Sequence, residues 1–425
     1  MRLQVEPSRL SGRVQIPGSK SHTIRAVAFA SLADGTGRIL SPLESADTHA
    51  AVDAYRAAGA TVEMCRGEWV VTGAAGEIKA PTSVVDVRNS GTTLNVSMGT
   101  FALLRDGKAT LTGDEQIQRR PSRVLAAALT DLGASAVSMR GNGCAPFEVK
   151  GRLSGGSTSM EAVSSQYLSS VLINAPLGDG ESRVLVPVLH EAPYVRMTLS
   201  WLVEQGMKIE YADDLSEFVI PGGQTYKAFE KAIPADFSSA TFFLAAGAMG
   251  DNAVSLGGLD INDTQGDKAV MDYVSRMGAN VAFDGGDIVV SGRGLSGCEI
   301  DLNATPDALP MMACLACFAR GTTRLVNVAH ARIKETDRIA VMAAELSKMG
   351  ARVKEMPDGL VIEESKLHGA HVDGHGDHRV VMALAVAASG AESVTTIDGA
   401  EAIAVTFETF VYVMRGIGAR IAVGE

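Results

Sequence analysis

Apolar and polar positions along the chain repeat on a scale far longer than a helix turn. A helical stretch ending in Gly, usually Gly-Ala, and followed by a strand pattern occurs as AAGATVEM, DLGASAVSM, EQGMKIEY, RMGANVAF, KMGARVKE and GIGARIAV. The glycines stand at 59, 133, 206, 278, 350 and 418, at intervals of 74, 73, 72, 72 and 68 residues. Such spacing is too regular for chance and too long for a solenoid, whose repeats run about 20–50 residues. Each Gly suits the left-handed residue that ends a helix before a strand.

A second helix in each unit is rich in small and apolar residues and precedes a β-rich segment. The six are HTIRAVAFASLADG, TTLNVSMGTFALLRDG, QYLSSVLINAPLGDG, SATFFLAAGAMG, ALPMMACLACFARG and RVVMALAVAASG. Helices this apolar predict burial on most of their surface, which leaves the amphipathic helix of each unit outside. Each unit therefore reads strand, helix, strand, helix, strand. Three units per half give two similar α/β domains with a cleft between them, the halves meeting near Ile233-Pro234-Ala235-Asp236.

Composition narrows the class. With 425 residues, 46% of them hydrophobic, the chain can bury a large core. A net charge of -11, from 49 acidic and 38 basic residues in no long block, argues against a nucleic-acid or membrane-surface partner. The N-terminus lacks an apolar signal core and no apolar run reaches the roughly 20 residues that span a bilayer, so a cytoplasmic location is expected. Five scattered cysteines fit a reducing compartment, and Cys314 and Cys317 fall in an apolar run that reads as core.

Polar residues unusual for a core stand immediately before each apolar helix: Ser19-Lys20-Ser21, Arg88 to Thr93, Ser164-Ser165-Gln166, Asp236 to Ser239, Thr305-Pro306-Asp307 and Asp377-His378-Arg379. Helix starts carry unpaired N–H groups and a partial positive charge, so they can hold phosphate or carboxylate. The alternative for each is ordinary capping by Ser, Thr, Asp or Asn. Isolated cations accompany the same places: Lys20 and Arg25, Arg119-Arg120, Lys334 and Arg338, and Arg379. Singly each reads as a solvated surface charge; together they predict a pocket that neutralises several negative charges in an acidic protein. His371, His375 and His378 lie in a glycine-rich stretch with no nearby thiolate, so no metal site is expected. Neither a Walker A nor a Rossmann fingerprint is present, and no cofactor is expected.

These residues form an ordered set. PGSKSHTIRA (17–26), NSGTT (89–93), RRP (119–121), SSQYL (164–168), PYVRMTL (193–199), PDA (306–308), KETDR (334–338) and DHR (377–379) resemble, in order and spacing over essentially the whole chain, the motifs of the 3-phosphoshikimate 1-carboxyvinyltransferase family of enolpyruvyl transferases. The resemblance implies an inside-out α/β fold of two domains, residues 20–233 and residues 1–19 with 234–425, each of three βαβαββ units, closing over phosphoenolpyruvate and shikimate-3-phosphate in an active site between them. A monomer is expected. Carried onto this chain, it implies Lys20, Asp307 and Glu335 as catalytic residues, with Lys20 touching both substrates. Phosphoenolpyruvate would be held by Lys20, Gly91, Arg120, Gln166, Arg338 and Arg379. The acceptor would be held by Ser21, Arg25, Ser164, Ser165, Gln166, Tyr194, Asp307 and Lys334.

The chain departs from the family pattern at four positions. Asn95 stands where Arg is common, Glu191 where a Ser often contacts the acceptor phosphate, His330 where Asn is frequent, and Val405 where many members have Lys. A paralogous transferase acting on another alcohol, such as a UDP-sugar or nucleotide, is the first alternative. The UDP-N-acetylglucosamine branch usually carries a loop Cys a few residues before Arg-Pro, whereas this loop has Glu115 and no Cys. A non-catalytic binding protein is the second alternative, and the set Lys20, Asp307, Glu335, Arg338 and Arg379 exceeds what binding alone requires.

Overall fold

The computed structural model describes residues 1–424, which divide into two compact units: Gly18–Ile233, and Met1–Pro17 together with the chain from Pro234 onward. Among the described residues there are six four-stranded sheets, three per unit, and all six share one pattern of parallel and antiparallel pairing. The unit around Gly91–Phe101 shows the pattern. Val85–Asp86 runs parallel to Leu103–Thr112 across the apolar helix, then the outer helix Arg123–Asp131 leads into the antiparallel hairpin Ser135–Ser138 and Phe147–Arg152. Where the residue pattern read a single closing strand, the chain makes a hairpin, giving βαβαββ.

The apolar helices are Lys20–Leu32, Gly91–Phe101, Ser165–Asn174, Phe237–Ala248, Leu309–Ala316 and His378–Ser389. Every residue of Phe237–Ala248, Leu309–Ala316 and His378–Ser389 is buried. Small side chains make this possible, since helices lined with Ala, Gly and Ser can approach closely while Phe243, Met311 and Leu384 fill the space between them. The outer helices show the one-sided pattern instead. In Arg338–Lys348 the buried residues are Arg338, Ile339, Met342, Glu345 and Leu346, which recur at helical spacing on one face. The six repeat glycines all take positive φ, from 71° at Gly206 to 110° at Gly59. A side chain at those positions would strain the helix-to-strand turn, which is why Gly marks the repeat so regularly.

Three units are completed by strands distant in sequence. Glu230–Ala232 pairs parallel with Thr36–Leu40 and so opens the unit that contains Lys20–Leu32. Ser11–Gln15 pairs parallel with Ala253–Gly257, and Arg2–Glu6 is inserted between Thr395–Asp398 and Arg420–Gly424. The three repeats of each half thereby close around one shared hydrophobic core. Cys314 and Cys317 are buried in one of these cores, and burial pushes the Cys317 thiol up to about 12. Among the described residues no helix is long and apolar enough to cross a membrane.

Candidate active site

Capping and charge turn out to share the same helix starts. Ser19, Ser90, Ser164, Asp236 and Asp377 each accept a hydrogen bond from a backbone N–H in the first turn of the buried helix they precede. The fifth helix follows a different course, entering through the short 3-10 turn Pro306–Ala308 and leaving Asp307 available for side-chain partners. The expected site residues then gather into two groups, one within each unit.

In the unit formed by residues 18–233, Lys20 is the first residue of its helix, and its Nζ lies 3.1 Å from the carboxylate of Asp47. One turn on, the buried guanidinium of Arg25 donates to Thr198 Oγ1 at 2.9 Å, Ser169 Oγ at 3.4 Å and the carbonyls of Ser21 and Tyr194, both at 3.1 Å. None of these partners is a carboxylate, and burial lowers the Arg25 pKa to about 10. The start of the second buried helix meets Arg120 and Gln166. A Cβ on Gly91 would lie 2.7 Å from Arg120 Nη1, so the glycine is what lets the guanidinium rest against the helix. Gln166 donates to Thr92 Oγ1 at 3.1 Å and accepts from Asn95 Nδ2 at 2.8 Å. Asn95 also donates to the Gly91 carbonyl and accepts from Ser122, so this departure from the family pattern serves as a bracket for Gln166.

Ser164 and Ser165 begin the third buried helix, where Glu191 meets them. Its Oε2 accepts from the Ser165 amide at 3.2 Å and from the Ser165 hydroxyl at 2.7 Å. Tyr194 stands one turn further along the outer helix Ala192–Glu204, its amide donating to the Glu191 carbonyl at 3.0 Å.

The other unit concentrates its charge around Arg338, whose side chain is only 1% exposed. Nε and Nη2 donate to the two oxygens of Asp377 at 2.8 and 3.2 Å, Nη1 donates to Asp307 at 2.8 Å, and Nη2 also donates to Glu335 at 2.5 Å. Arg379 Nη2 reaches the second oxygen of Asp307 at 2.9 Å. Burial alone would raise the Asp307 pKa, but the charges of Arg379, Arg338 and Lys334 outweigh it and hold the carboxyl far below the usual range. Asp377 follows the same logic, with burial opposed by Arg338 and the net effect downward. The Arg338 pKa in turn lies well above its ordinary value, because Asp377, Glu335 and Asp307 overcome the cost of burial. The group thus combines cations able to bind an anion with carboxylates able to exchange protons once that anion draws the cations away.

The residue pattern did not single out Asp47 or Asp377 as site residues. Asp377 belongs to the polar set before the sixth buried helix and to the DHR motif but had no role of its own there; it grips both Arg338 and the Arg379 amide. The segment Lys334–Asp337 is not a solvated helix face; it precedes the helix that begins at Arg338. Arg119 does take the surface role, pairing with Glu115 in solvent. The three histidines take separate neighbours, with His371 beside Asp398 and His375 beside Glu345, while His378 is buried. His330 is buried in the turn Ala329–Ile333, and Val405 is half-buried at the end of the turn Ala400–Val405.

Known proteins resemble the chain over its whole length. A family model described as EPSP synthase (3-phosphoshikimate 1-carboxyvinyltransferase) matches residues 5–414. The chain is 49% identical over 421 residues to the 3-phosphoshikimate 1-carboxyvinyltransferase of Ruminiclostridium cellulolyticum, covering 99% of each chain. It is 51% identical over 425 residues to that of Acetivibrio thermocellus, covering 100% of each. Among solved structures, EPSP synthase from Acinetobacter baumannii superposes with a TM-score of 0.83 at 28% identity over the full length of both chains. The chain belongs to the EPSP synthase family.

Proposed function

We propose that the chain transfers the enolpyruvyl group of phosphoenolpyruvate to the 5-hydroxyl of shikimate-3-phosphate and releases phosphate. The observation that carries this reading is the Arg338 group: two arginines and a lysine around Asp307 and Glu335, in a chain about half identical to full-length relatives of that name. In the first step the acceptor oxygen bonds to C2 of phosphoenolpyruvate, the hydroxyl proton leaves to a base, and C3 gains a proton. In the second, C3 gives up a proton, the double bond returns and the C2–O bond to phosphate breaks. Each step needs a base and an acid beside two anions, which is what Lys20, Asp307 and Glu335 supply in this reading.

The ion pairs bear on timing. With no substrate, Asp307 is held ionised by Arg338 and Arg379 and is a weak base. An incoming carboxylate or phosphate competes for the same guanidinium groups, which raises the Asp307 pKa and makes it a better proton acceptor when the reactants are present. Arg120, Arg338 and Arg379, with Lys20, Gly91 and Gln166, would hold phosphoenolpyruvate. Arg25, with Ser21, Ser164, Ser165, Gln166, Tyr194, Asp307 and Lys334, would hold the acceptor. That Arg25 is buried among neutral partners supports its meeting an acceptor anion.

Purified protein with both substrates should release inorganic phosphate, and Lys20→Ala should reduce kcat by about a hundredfold or more, the scale of removing a general acid-base group. The carboxylate of Glu191 on Ser165 is the one observation that favours another alcohol as acceptor. Phosphate release with such an alcohol and none with shikimate-3-phosphate would move the assignment there.

A further inference from the structure

Glu191 occupies the start of the third buried helix with an anion of the chain's own. It is 2% exposed, and a single oxygen, Oε2, takes both the amide and the hydroxyl of Ser165. Its backbone is left-handed, φ 58° and ψ 37°, an unfavourable conformation for a residue with a long side chain, and it opens the helix Ala192–Glu204 from that position. The Ser165 amide is among those with no partner inside its own helix, and the positive end of the helix dipole adds to the attraction. The carboxylate thus satisfies donors that an external anion would otherwise use. Two anions cannot share them, because in a water-poor site their repulsion is weakly screened.

We propose that Glu191 is an internal competitor for the acceptor's phosphate and so a specificity-determining residue. A phosphorylated acceptor reaches Ser165 only by displacing the Glu191 carboxylate, and this exchange sets how much affinity the phosphate contributes. An acceptor lacking the phosphate meets no such competition. The inference rests on the reading that Ser164 and Ser165 hold the acceptor. It concerns one side chain and leaves the phosphoenolpyruvate contacts of Lys20, Arg120, Arg338 and Arg379 outside its reach.

The test is titration calorimetry of the whole chain with shikimate-3-phosphate and, separately, with shikimate. Glu191→Gln keeps a hydrogen-bond acceptor and removes the charge; Glu191→Ser removes the side chain's reach as well. Both variants should bind shikimate-3-phosphate about tenfold more tightly than the native chain, the scale of one charge-assisted hydrogen bond no longer contested. The gain for shikimate should be several-fold smaller. Unchanged or weaker binding of shikimate-3-phosphate, or equal gains for both ligands, in whichever variant retains the native unfolding midpoint would overturn the proposal. Turnover separates this from the assigned reaction. If the native chain binds shikimate-3-phosphate but releases no phosphate from phosphoenolpyruvate, the reaction is wrong, and the comparison of binding still decides the role of Glu191.

Discussion

Replacing Arg338 by methionine removes a cation that three carboxylates share. The native guanidinium makes four charge-assisted hydrogen bonds to Asp377, Asp307 and Glu335, and its side chain is almost fully buried. Truncating one partner of a buried ion pair costs about 3–5 kcal/mol, because the remaining charge stays desolvated. For a unit of this size that corresponds to a fall in melting temperature of roughly 6–20 °C. Arg338→Lys keeps a charge but loses the planar fork, so its loss should fall between native and Met. The pH dependence carries the sharper test. In the native chain Asp377 has a lowered pKa, so its contribution is present above the unfolded carboxylate value of about 3.9 and is lost as the pH falls toward the folded value. In Arg338→Met burial prevails, and the Asp377 carboxyl rises above its unfolded value. It then destabilises at neutral pH and less so as acid protonates it. The difference in melting temperature between native and Met protein, read by differential scanning calorimetry, should therefore shrink from pH 8 to pH 5. A gap that stays constant over that range, or a Met variant melting within about 2 °C of the native chain, would refute the assignment of Arg338 as the shared counter-ion.

Two glycines allow further tests. Gly91→Ala puts a methyl group against Arg120 Nη1, and because that is the end of a flexible side chain the arginine should move while the fold holds. Steady-state kinetics should show KM for phosphoenolpyruvate rising about tenfold, the loss of one charge-assisted contact, with little change in melting temperature; an unaltered KM would remove Arg120 from the proposed set. Gly99→Ala meets Asn174 Nδ2 and Ser170 Oγ at 2.5 Å, and both are fixed by hydrogen bonds to the carbonyls of Val96 and Asn95. Overpacking should cost about 1–3 kcal/mol in urea unfolding, exceeding the gain of about 1 kcal/mol that Ala brings to a helix; a more stable variant would show that the two helices do not pack closely at Gly99.

What the residues disclosed depended on how local the cause was. The six repeats were legible because a left-handed turn between helix and strand requires Gly at one place, as at Gly59 and Gly133. The buried helices were legible because their composition leaves no polar face. Strand partners were not, since Arg2 pairs with Asp398 and nothing near either residue says so. The same holds in the site. Lys20 and Arg338 stood out as isolated cations, but Asp47, which pairs with Lys20, sits in an ordinary helix start with its own capping box. Glu191 was visible as a departure, and only the path of the chain brings its carboxylate onto Ser165.

The pairing of Arg2–Glu6 and Ser11–Gln15 sets an order on synthesis. Both strands are synthesised before their partners at 253–257, 395–398 and 420–424, so they must wait, unpaired, until those segments emerge. By contrast, residues 18–233 possess every strand of their three sheets as soon as Ala232 has emerged. A nascent chain can therefore finish the unit of residues 18–233 first, while Arg2–Glu6 and Ser11–Gln15 remain unpaired. These two strands have three partner strands to find in two sheets, and the pairing with Arg420–Gly424 is the last to become possible.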